Sequence, residues 1–274
     1  MNDFPIGMFD SGIGGLTVYR EIKRILPDEE IIYLGDTARV PYGSKSEKTI
    51  RHYSFENTLF LFDYSIKLLV VACNTSTAYA LDSLSKAFRF PIIGVIEPGS
   101  ISAIKKTKNK KIGIIGTRAT IESNAYPDNL KKLDVGVEVF SMACPLFVPL
   151  VEEGLLNDEI TKLTIKKYLT PLLKNRIDTL ILGCTHYPLL KPAIREYIGT
   201  GIEILDSAEE TALTVRECLK KFGLNCKTHS KNPDKIIFTD PQRNINSIIK
   251  LIFMDANQPN IELSFLSGET GKKI

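Results

Sequence analysis

The chain has 274 residues, of which 35 are Lys or Arg and 32 are Asp or Glu, and its formal net charge at pH 7 is +3. So balanced a charge gives no indication of a nucleic-acid partner. No run of about 18 apolar residues is present, and the first residues lack the pattern of a signal peptide. We therefore expect a cytoplasmic protein that binds neither nucleic acid nor membrane.

Short apolar runs alternate with helical patterns along most of the chain, which predicts βαβ units and parallel sheets. Helical spacing is clear at residues 14–25, behind a glycine-rich start. The predicted strands form two sets of four, at 5–10, 30–36, 67–73 and 92–95, and then at 111–117, 135–140, 178–184 and 202–206. The tail contains predicted helices near 208–222 and 243–252 and predicted strands at 235–240 and 260–266.

The third strand of each set ends in a cysteine, at Cys73 and at Cys184. This repetition predicts an α/β fold of two similar parallel-sheet βαβ domains related by pseudo-duplication, with the active site in the cleft between them. We expect the tail to return to the first domain. That domain would then be discontinuous, formed by residues 1–97 and 208–274, and residues 98–207 would form the second domain.

Cys73 and Cys184 are the main candidates for chemistry, because ligands of parallel sheets bind beyond the carboxyl ends of the strands. A buried thiol alone is usually an inert small hydrophobic group. Here, however, polar residues follow each sulfur, and a helix that starts there would favour the thiolate over the thiol. The residues in question are Asn74 and Thr75 after the first cysteine, and Thr185 and His186 after the second.

The remaining cysteines, Cys144, Cys218 and Cys226, lack this setting, and we expect them to be packing or surface thiols. Five cysteines make an odd set, and they show neither a CxxC pair nor close spacing with histidine. A disulfide scaffold and a metal site are therefore not expected.

Asp10 opens the sequence DSGIGG at the end of the first predicted strand. The glycines at 12–15 allow a tight turn and expose N–H groups at a helix start, an arrangement that suits an anion such as a carboxylate. A dinucleotide site is the rival interpretation, since Asp36 lies at about the right distance to hold a ribose. Thr17 stands where that motif needs its third glycine, so we expect no nucleotide cofactor.

Further candidates follow other strands. In VPYGS (40–44), the Tyr42 hydroxyl and the Gly43 N–H could hold a polar ligand, although a simple turn is the plain alternative. Thr117 and Thr120 of GTRAT occupy the equivalent place in the second half of the chain.

Two ionisable residues, Glu152 and His186, are further candidates. Glu152 lies in a segment that resembles a loop, where the sequence alone favours a solvated surface carboxylate. His186 stands two residues from a candidate sulfur, whereas His52 and His229 lie in polar or amphipathic stretches that predict surface positions.

Two thiols on one ligand suit removal of a proton from one face of a carbon and delivery of another to the opposite face, which inverts a stereocentre. One thiol must start as thiolate and the other as thiol. A proton α to a carboxylate is very weakly acidic, so N–H donors and exclusion of water must stabilise the carbanion. Asp10, Glu152 and His186 are the natural groups to tune or relay these protons, and we expect no metal or cofactor.

Five segments together resemble glutamate racemase, a cofactor-independent family within the aspartate/glutamate racemase superfamily. These segments are GMFDSGIGGLTV (7–18), VPYG (40–43), VVACNTSTA (70–78), GVIEPG (94–99) and LGCTHYPLL (182–190). The resemblance implies two α/β domains around one active site and production of D-glutamate for bacterial peptidoglycan. Relatives in this family are commonly dimers, so it also implies a homodimer, and some relatives respond to a peptidoglycan precursor.

The resemblance also implies roles for individual residues. Cys73 and Cys184 match the two acid–base cysteines, and Asp10, Glu152 and His186 resemble the residues that assist proton transfer. Thr117 and Thr120 are similar to threonines near the substrate amino or carboxylate group. The remaining matches are to substrate-binding pairs, namely Asp10 and Ser11, Tyr42 and Gly43, Asn74 and Thr75, and Thr185 and His186.

Two alternatives remain at this stage. One is a different enzyme of the superfamily, such as an aspartate racemase or a decarboxylase. A decarboxylase needs only one protonating cysteine, whereas glutamate and aspartate differ by one methylene, worth about 1–3 kcal/mol, which a sequence does not reveal. The other is a non-catalytic thiol redox sensor, which would form a reversible disulfide between Cys73 and Cys184.

Overall fold

The computed structural model describes residues 2–226, 232–241, 245–253 and 261–265. The strands are β1 (Ile6–Asp10), β2 (Ile31–Gly35), β3 (Leu68–Val71), β4 (Ile92–Gly94), β5 (Lys111–Gly116), β6 (Glu138–Ala143), β7 (Thr179–Gly183), β8 (Glu203–Leu205), β9 (Asp234–Phe238) and β10 (Ile261–Phe265). The helices are α1 (Leu16–Ile25), α2 (Glu47–Phe62), α3 (Asn74–Ala87), α4 (Ile96–Lys106), α5 (Arg118–Glu122), α6 (Ala125–Leu133), α7 (Phe147–Glu152), α8 (Glu159–Leu173), α9 (Lys191–Ile198), α10 (Ala208–Phe222) and α11 (Ile245–Phe253). Short 3₁₀ helices occupy Tyr42–Ser44 and Tyr187–Leu190.

The strands form two sheets in which all the pairings are parallel. The first sheet has the order β10-β9-β2-β1-β3-β4, and the second has the order β6-β5-β7-β8. Four strands of the first sheet therefore repeat the order of the whole second sheet. This topology confirms the predicted fold of two similar parallel-sheet α/β domains.

The apolar strand sequences follow from burial on both faces of each sheet. In β1, Met8 packs in the core on one face, while its neighbour Phe9 packs in the core on the other. In β7, Leu180 and Ile181 divide between two cores in the same way. Because both faces are covered, the residues beyond the carboxyl ends of the strands are the ones left to form a site.

The sixth strand begins later than predicted, at Glu138 rather than at residue 135. The apolar-looking start belongs to a turn in which Gly136 N donates to Asp134 Oδ1 over 2.9 Å. Val135 is 90% exposed as a result. The strand enters the sheet at the pairing of Glu138 with Lys111, the first residue of β5.

The tail extends the first sheet, because β9 pairs with β2 and β10 pairs with β9. The helix α4 begins at Ile96, so the boundary expected between residues 97 and 98 falls within its first turn. That boundary and the one between residues 207 and 208 remain a prediction. His52 is exposed, as expected, and His229 lies outside the described residues. None of the helices in the described ranges has the length and apolar character needed to cross a membrane.

Candidate active site

Residues from the carboxyl ends of both sheets line one cavity. It contains about 280 Å³ of empty volume, part of which is open to solvent. Of the predicted site residues, it brings together those that follow β2, β3 and β7, with Ser11 after β1 and Thr117 after β5, whereas Asp10, Thr120 and Glu152 are not part of its lining. The lining residues are Ser11, Val40, Pro41, Tyr42, Gly43, Cys73, Asn74, Thr75, Thr117, Val148, Cys184, Thr185 and His186.

Cys73 lies between β3 and α3, where it caps the helix, and its Sγ lies 3.5 Å from the backbone N of Ser76. Burial raises the pKa of the Cys73 thiol to about 12, and the negative charge of Asp10 acts in the same direction. Hydrogen bonds from Ser76 and Ser11 oppose this shift. The helix start does favour the thiolate at Cys73 through the Ser76 N–H, but burial and Asp10 outweigh this effect.

Cys184 follows β7 and is succeeded by a 3₁₀ helix that starts at Tyr187. Its Sγ lies 4.0 Å from His186 Nδ1, and His186 Nε2 lies 3.3 Å from Glu152 Oε1. Burial lowers the pKa of His186, but hydrogen bonds to Cys184 and Glu152 and the charges of both groups raise it overall, to about 10. The imidazole is therefore a cation at neutral pH, next to the Cys184 sulfur.

The expectations of a loop and of a solvated surface carboxylate are both wrong for Glu152. It is the last residue of α7, and its side chain is only 22% exposed. The chain positions Glu152 here because α7 packs against the short helix that starts at Tyr187, directly after His186. This packing brings two residues that are distant in sequence into contact.

Asp10 is fully buried, and the glycine loop that follows it binds this carboxylate. Its Oδ2 accepts hydrogen bonds from Gly12 N at 3.1 Å and Gly15 N at 3.0 Å, and its Oδ1 accepts one from Thr185 Oγ1 at 3.2 Å. Burial raises the pKa of Asp10, and the charge of His186 and these hydrogen bonds oppose the rise. Two of the loop's N–H groups are thus committed to the chain's own anion.

The absence of a side chain at Gly14 lets this loop approach the second domain. A Cβ there would lie 2.6 Å from both His186 Nδ1 and Thr185 Oγ1. Gly43 makes a similar approach, since a Cβ there would lie 2.3 Å from Thr117 Cβ. At both places a larger residue would push the two walls of the cavity apart.

Three buried threonine hydroxyls join the two halves of the site. Thr75 Oγ1 lies 2.9 Å from Thr117 Oγ1 and 3.0 Å from Thr120 Oγ1, and the latter two are 2.9 Å apart. Thr75 follows Cys73, whereas Thr117 and Thr120 follow β5 in the second sheet. The cluster supplies hydroxyl groups to the cavity wall through Thr75 and Thr117.

The Tyr42 hydroxyl is engaged in the scaffold. It donates a short hydrogen bond to Asp36 Oδ2 and accepts one of 3.0 Å from Asn57 Nδ2. Asp36 also accepts hydrogen bonds from Arg39 Nε at 2.6 Å and from Thr239 Oγ1 at 3.0 Å. Asp36 therefore binds the side chains of Tyr42, Arg39 and Thr239, and the expected role of Tyr42 in ligand binding stays a prediction.

Sequence reasoning missed three apolar residues of the cavity wall, Val40, Pro41 and Val148. Apolar side chains carry no chemical signal that separates a site from a core. Val40 and Pro41 could have been included, because they precede Tyr42 on a segment already predicted to reach the site. For Val148 no comparable signal exists.

Two parallel-sheet domains direct two thiols and a histidine to one cavity, and a carboxylate contacts this histidine. This arrangement defines an α/β enzyme suited to proton transfer. Comparison with known proteins identifies the family. The model of the family described as Asp/Glu/Hydantoin racemase matches residues 6–215. The chain belongs to this family.

Individual relatives agree over almost the whole chain. Glutamate racemase of Sulfurihydrogenibium sp. (strain YO3AOP1) is 50% identical over 263 residues, which cover 96% of this chain and 98% of the relative. The crystal structure of a glutamate racemase isoform from Bacillus anthracis matches with a TM-score of 0.88 and 42% identity, covering 94% of this chain and 96% of that one. Glutamate racemase from Francisella tularensis, in complex with D-glutamate, matches with a TM-score of 0.87 and 36% identity, covering 96% and 98%. The protein is an isomerase of the glutamate racemase type.

Proposed function

We propose that the protein interconverts L- and D-glutamate by acid–base catalysis with Cys73 and Cys184. The observation that carries this proposal is that the two thiols follow equivalent strands of two sheets and line one cavity. One thiolate takes the α-proton from one face of the substrate, leaving the electron pair of the broken C–H bond on the α-carbon. The other thiol donates its proton to that carbon from the opposite face and becomes a thiolate.

The surroundings of the two sulfurs support a specific resting state. The raised pKa of Cys73 keeps this thiol protonated, and His186 lies next to Cys184, the other thiol. In the free enzyme, Cys184 is then the base and Cys73 the acid. After one turnover the charges are exchanged, which prepares the site for the reverse reaction.

The cavity wall supplies the groups that would bind an amino acid with two carboxylates. Hydroxyls come from Ser11, Thr75, Thr117 and Thr185, and an amide comes from Asn74. Buried donors of this kind stabilise the negative charge that spreads from the α-carbon onto the carboxylate during the reaction. Asp10 and Thr120 support this wall through hydrogen bonds to Thr185, Thr75 and Thr117, and Tyr42 and Gly43 belong to the lining.

The biological role follows from the product. We assign the protein to the supply of D-glutamate for bacterial peptidoglycan in the cytoplasm, and to a homodimer, on the basis of its family resemblance. A relative from Francisella tularensis is described in complex with D-glutamate. Another, from Escherichia coli, is described with L-glutamate and the activator UDP-MurNAc-ala.

The test is incubation with L-glutamate and, separately, L-aspartate in D₂O without added cofactor, with optical rotation and deuterium at the α-carbon as readouts. Inversion with glutamate alone is the expected result. Inversion with aspartate alone would transfer the assignment to aspartate racemase. A reversible disulfide between Cys73 and Cys184 without any exchange at the α-carbon would indicate a redox sensor instead.

A further inference from the structure

Tyr126 is a buried residue that links the two cysteine motifs. It belongs to α6, is only 1% exposed and packs in a core of the second sheet. Its hydroxyl donates a hydrogen bond of 2.7 Å to Oδ1 of Asn74, the residue directly after Cys73. Its ring lies against Gly183, directly before Cys184, where a Cβ would lie 3.1 Å from the Tyr126 Cε2. One side chain therefore contacts the neighbours of both thiols.

The chemistry of the tyrosine hydroxyl sets the direction of this hydrogen bond. Burial raises the pKa of Tyr126 above its ordinary value, and the nearby Cys184 and Asp206 add to the rise, so the hydroxyl keeps its proton. In the described part of the chain, its one hydrogen bond is the donation to Asn74. Only the amide oxygen of an asparagine can accept such a bond.

The consequence concerns the group that Asn74 presents to the cavity it lines. An asparagine amide has an acceptor oxygen and a donor nitrogen, which exchange places when the group turns over. Because Tyr126 occupies the oxygen, the NH₂ group remains available to a ligand. A substrate carboxylate would be attracted by this NH₂ group and repelled by the amide oxygen.

We propose that Tyr126 is a positioning residue of the racemase site, which holds the Asn74 amide with its N–H donors toward a substrate carboxylate. This role rests on the proposed function, since it needs glutamate as the ligand. The bond also crosses between the two sheets, because Asn74 follows β3 of the first sheet and Tyr126 packs on the second. Tyr126 thus fixes a binding group of one domain from the other.

The first test is Tyr126→Phe, which removes the hydroxyl and keeps the ring that packs on Gly183. The KM for glutamate should rise by about tenfold, as expected for partial loss of a hydrogen bond to a charged group. Since Tyr126 touches no reacting atom, kcat should change by less than about twofold. The affinity for D-glutamate, measured by calorimetry, should fall by the same factor as KM rises.

The matched control is Tyr19→Phe, which removes another buried tyrosine hydroxyl. Tyr19 donates to Asp234 Oδ2 over 2.5 Å within the first domain, and we expect its KM to equal that of the wild type. Thermal unfolding of both variants separates loss of stability from loss of binding. An unchanged KM in Tyr126→Phe, or an equal rise in both variants, would overturn the positioning role.

Two further variants test whether Tyr126 acts through Asn74. In a double-mutant cycle with Asn74→Ala, adding Tyr126→Phe should raise KM no further, whereas multiplied effects would show a separate role. Asn74→Asp keeps an oxygen for Tyr126 but presents no N–H, so its KM should rise at least as much as that of Asn74→Ala. Wild-type affinity in Asn74→Asp would contradict the proposal even if Tyr126→Phe failed to fold. Wild-type protein without turnover would overturn the proposed function itself, whereas an active wild type with an unaffected Tyr126→Phe would overturn only this role.

Discussion

We call Cys73 and Cys184, each with its neighbouring residues, the two cysteine corners. They occupy equivalent places in the two sheets but have opposite electrostatic surroundings. Cys73 caps the 14-residue helix α3 and lies near the buried carboxylate of Asp10, and its pKa is raised to about 12. Cys184 is followed by a 3₁₀ helix and lies beside His186, whose pKa of about 10 makes it a cation at neutral pH. The repeated fold therefore provides two similar thiol positions, one near a buried carboxylate and the other beside a histidine that contacts Glu152.

This difference matters because a reaction that moves one proton off a carbon and another onto it needs both charge states at once. The corners are also physically connected. Thr185, directly after Cys184, donates to Asp10 in the first domain, while Thr75 contacts the threonines that follow β5 in the second. Each corner therefore contributes to the surroundings of the other.

The largest effect is expected when either thiol is removed. Cys73→Ala and Cys184→Ala should each lower the rate of racemisation by at least ~10³-fold in both directions, because each direction uses both sulfurs. Polarimetry with L- and D-glutamate measures this loss. The matched control is Cys144→Ala, which removes a fully buried thiol that follows β6, and it should keep most of the activity. Full activity in either of the first two variants would rule out the two-thiol mechanism.

A smaller effect is expected when Cys184 loses the neighbouring imidazole of His186. His186→Asn should lower kcat/KM by roughly 10²-fold at neutral pH, a typical contribution of one positioned acid–base group. The pKa of His186 is raised to about 10, so its proton is present below that pH and lost above it. Wild-type kcat/KM should therefore fall above about pH 10, and the variant should lack this fall. An identical pH profile in the variant would assign the titration to another group.

A third substitution makes the electrostatic surroundings of Cys73 more similar to those of Cys184. The charge of Asp10 raises the pKa of Cys73, so Asp10→Asn should lower that pKa and speed alkylation of Cys73 roughly tenfold at fixed pH. Mass spectrometry after iodoacetamide treatment measures the rate. Asp178→Asn is the control, because Asp178 also accepts backbone N–H bonds but lies at the other end of the second sheet. Slower alkylation of Cys73 in Asp10→Asn would reverse the sign of the expected effect.

The smallest effect is expected in the scaffold beside Cys73. Tyr42→Phe should lower the free energy of unfolding by about 1–3 kcal/mol, because it leaves the buried Asp36 without one of its donors. The KM for glutamate should change by less than about twofold, since the hydroxyl is already engaged by Asp36 and Asn57. Urea unfolding and steady-state kinetics provide the two numbers. A large rise in KM with unchanged stability would place the hydroxyl on the substrate.

Much of the site could be predicted from the sequence, because the end of a buried parallel strand is visible as the end of an apolar run. The apolar runs before Cys73 and Cys184 end in polar residues, and the structure places those residues around one cavity. The same logic failed at the sixth strand, where Val135 looks like a strand residue but belongs to an exposed turn. An edge strand that is only partly buried carries a weaker apolar signal than a central one.

The electrostatic differences could not be predicted in this way. They depend on contacts between residues far apart in the chain, such as Glu152 with His186 and Tyr126 with Asn74. Tyr126 lies in an ordinary amphipathic helix, and Glu152 resembles any surface carboxylate. The family resemblance implies a role for Glu152, but the contacts of both residues become visible only when tertiary packing brings them to the cysteine motifs.

The most direct measurement of the central claim is the rate at which iodoacetamide alkylates Cys73 and Cys184 in the wild-type protein at neutral pH. Both residues line the same cavity, and their exposed fractions are similar, 4% and 6%, so the ratio of rates reports the charge state rather than access. Peptide mass spectrometry assigns each product. We predict that Cys184 reacts at least ~10-fold faster than Cys73. Equal rates, or faster reaction of Cys73, would contradict the assignment of Cys184 as the resting base.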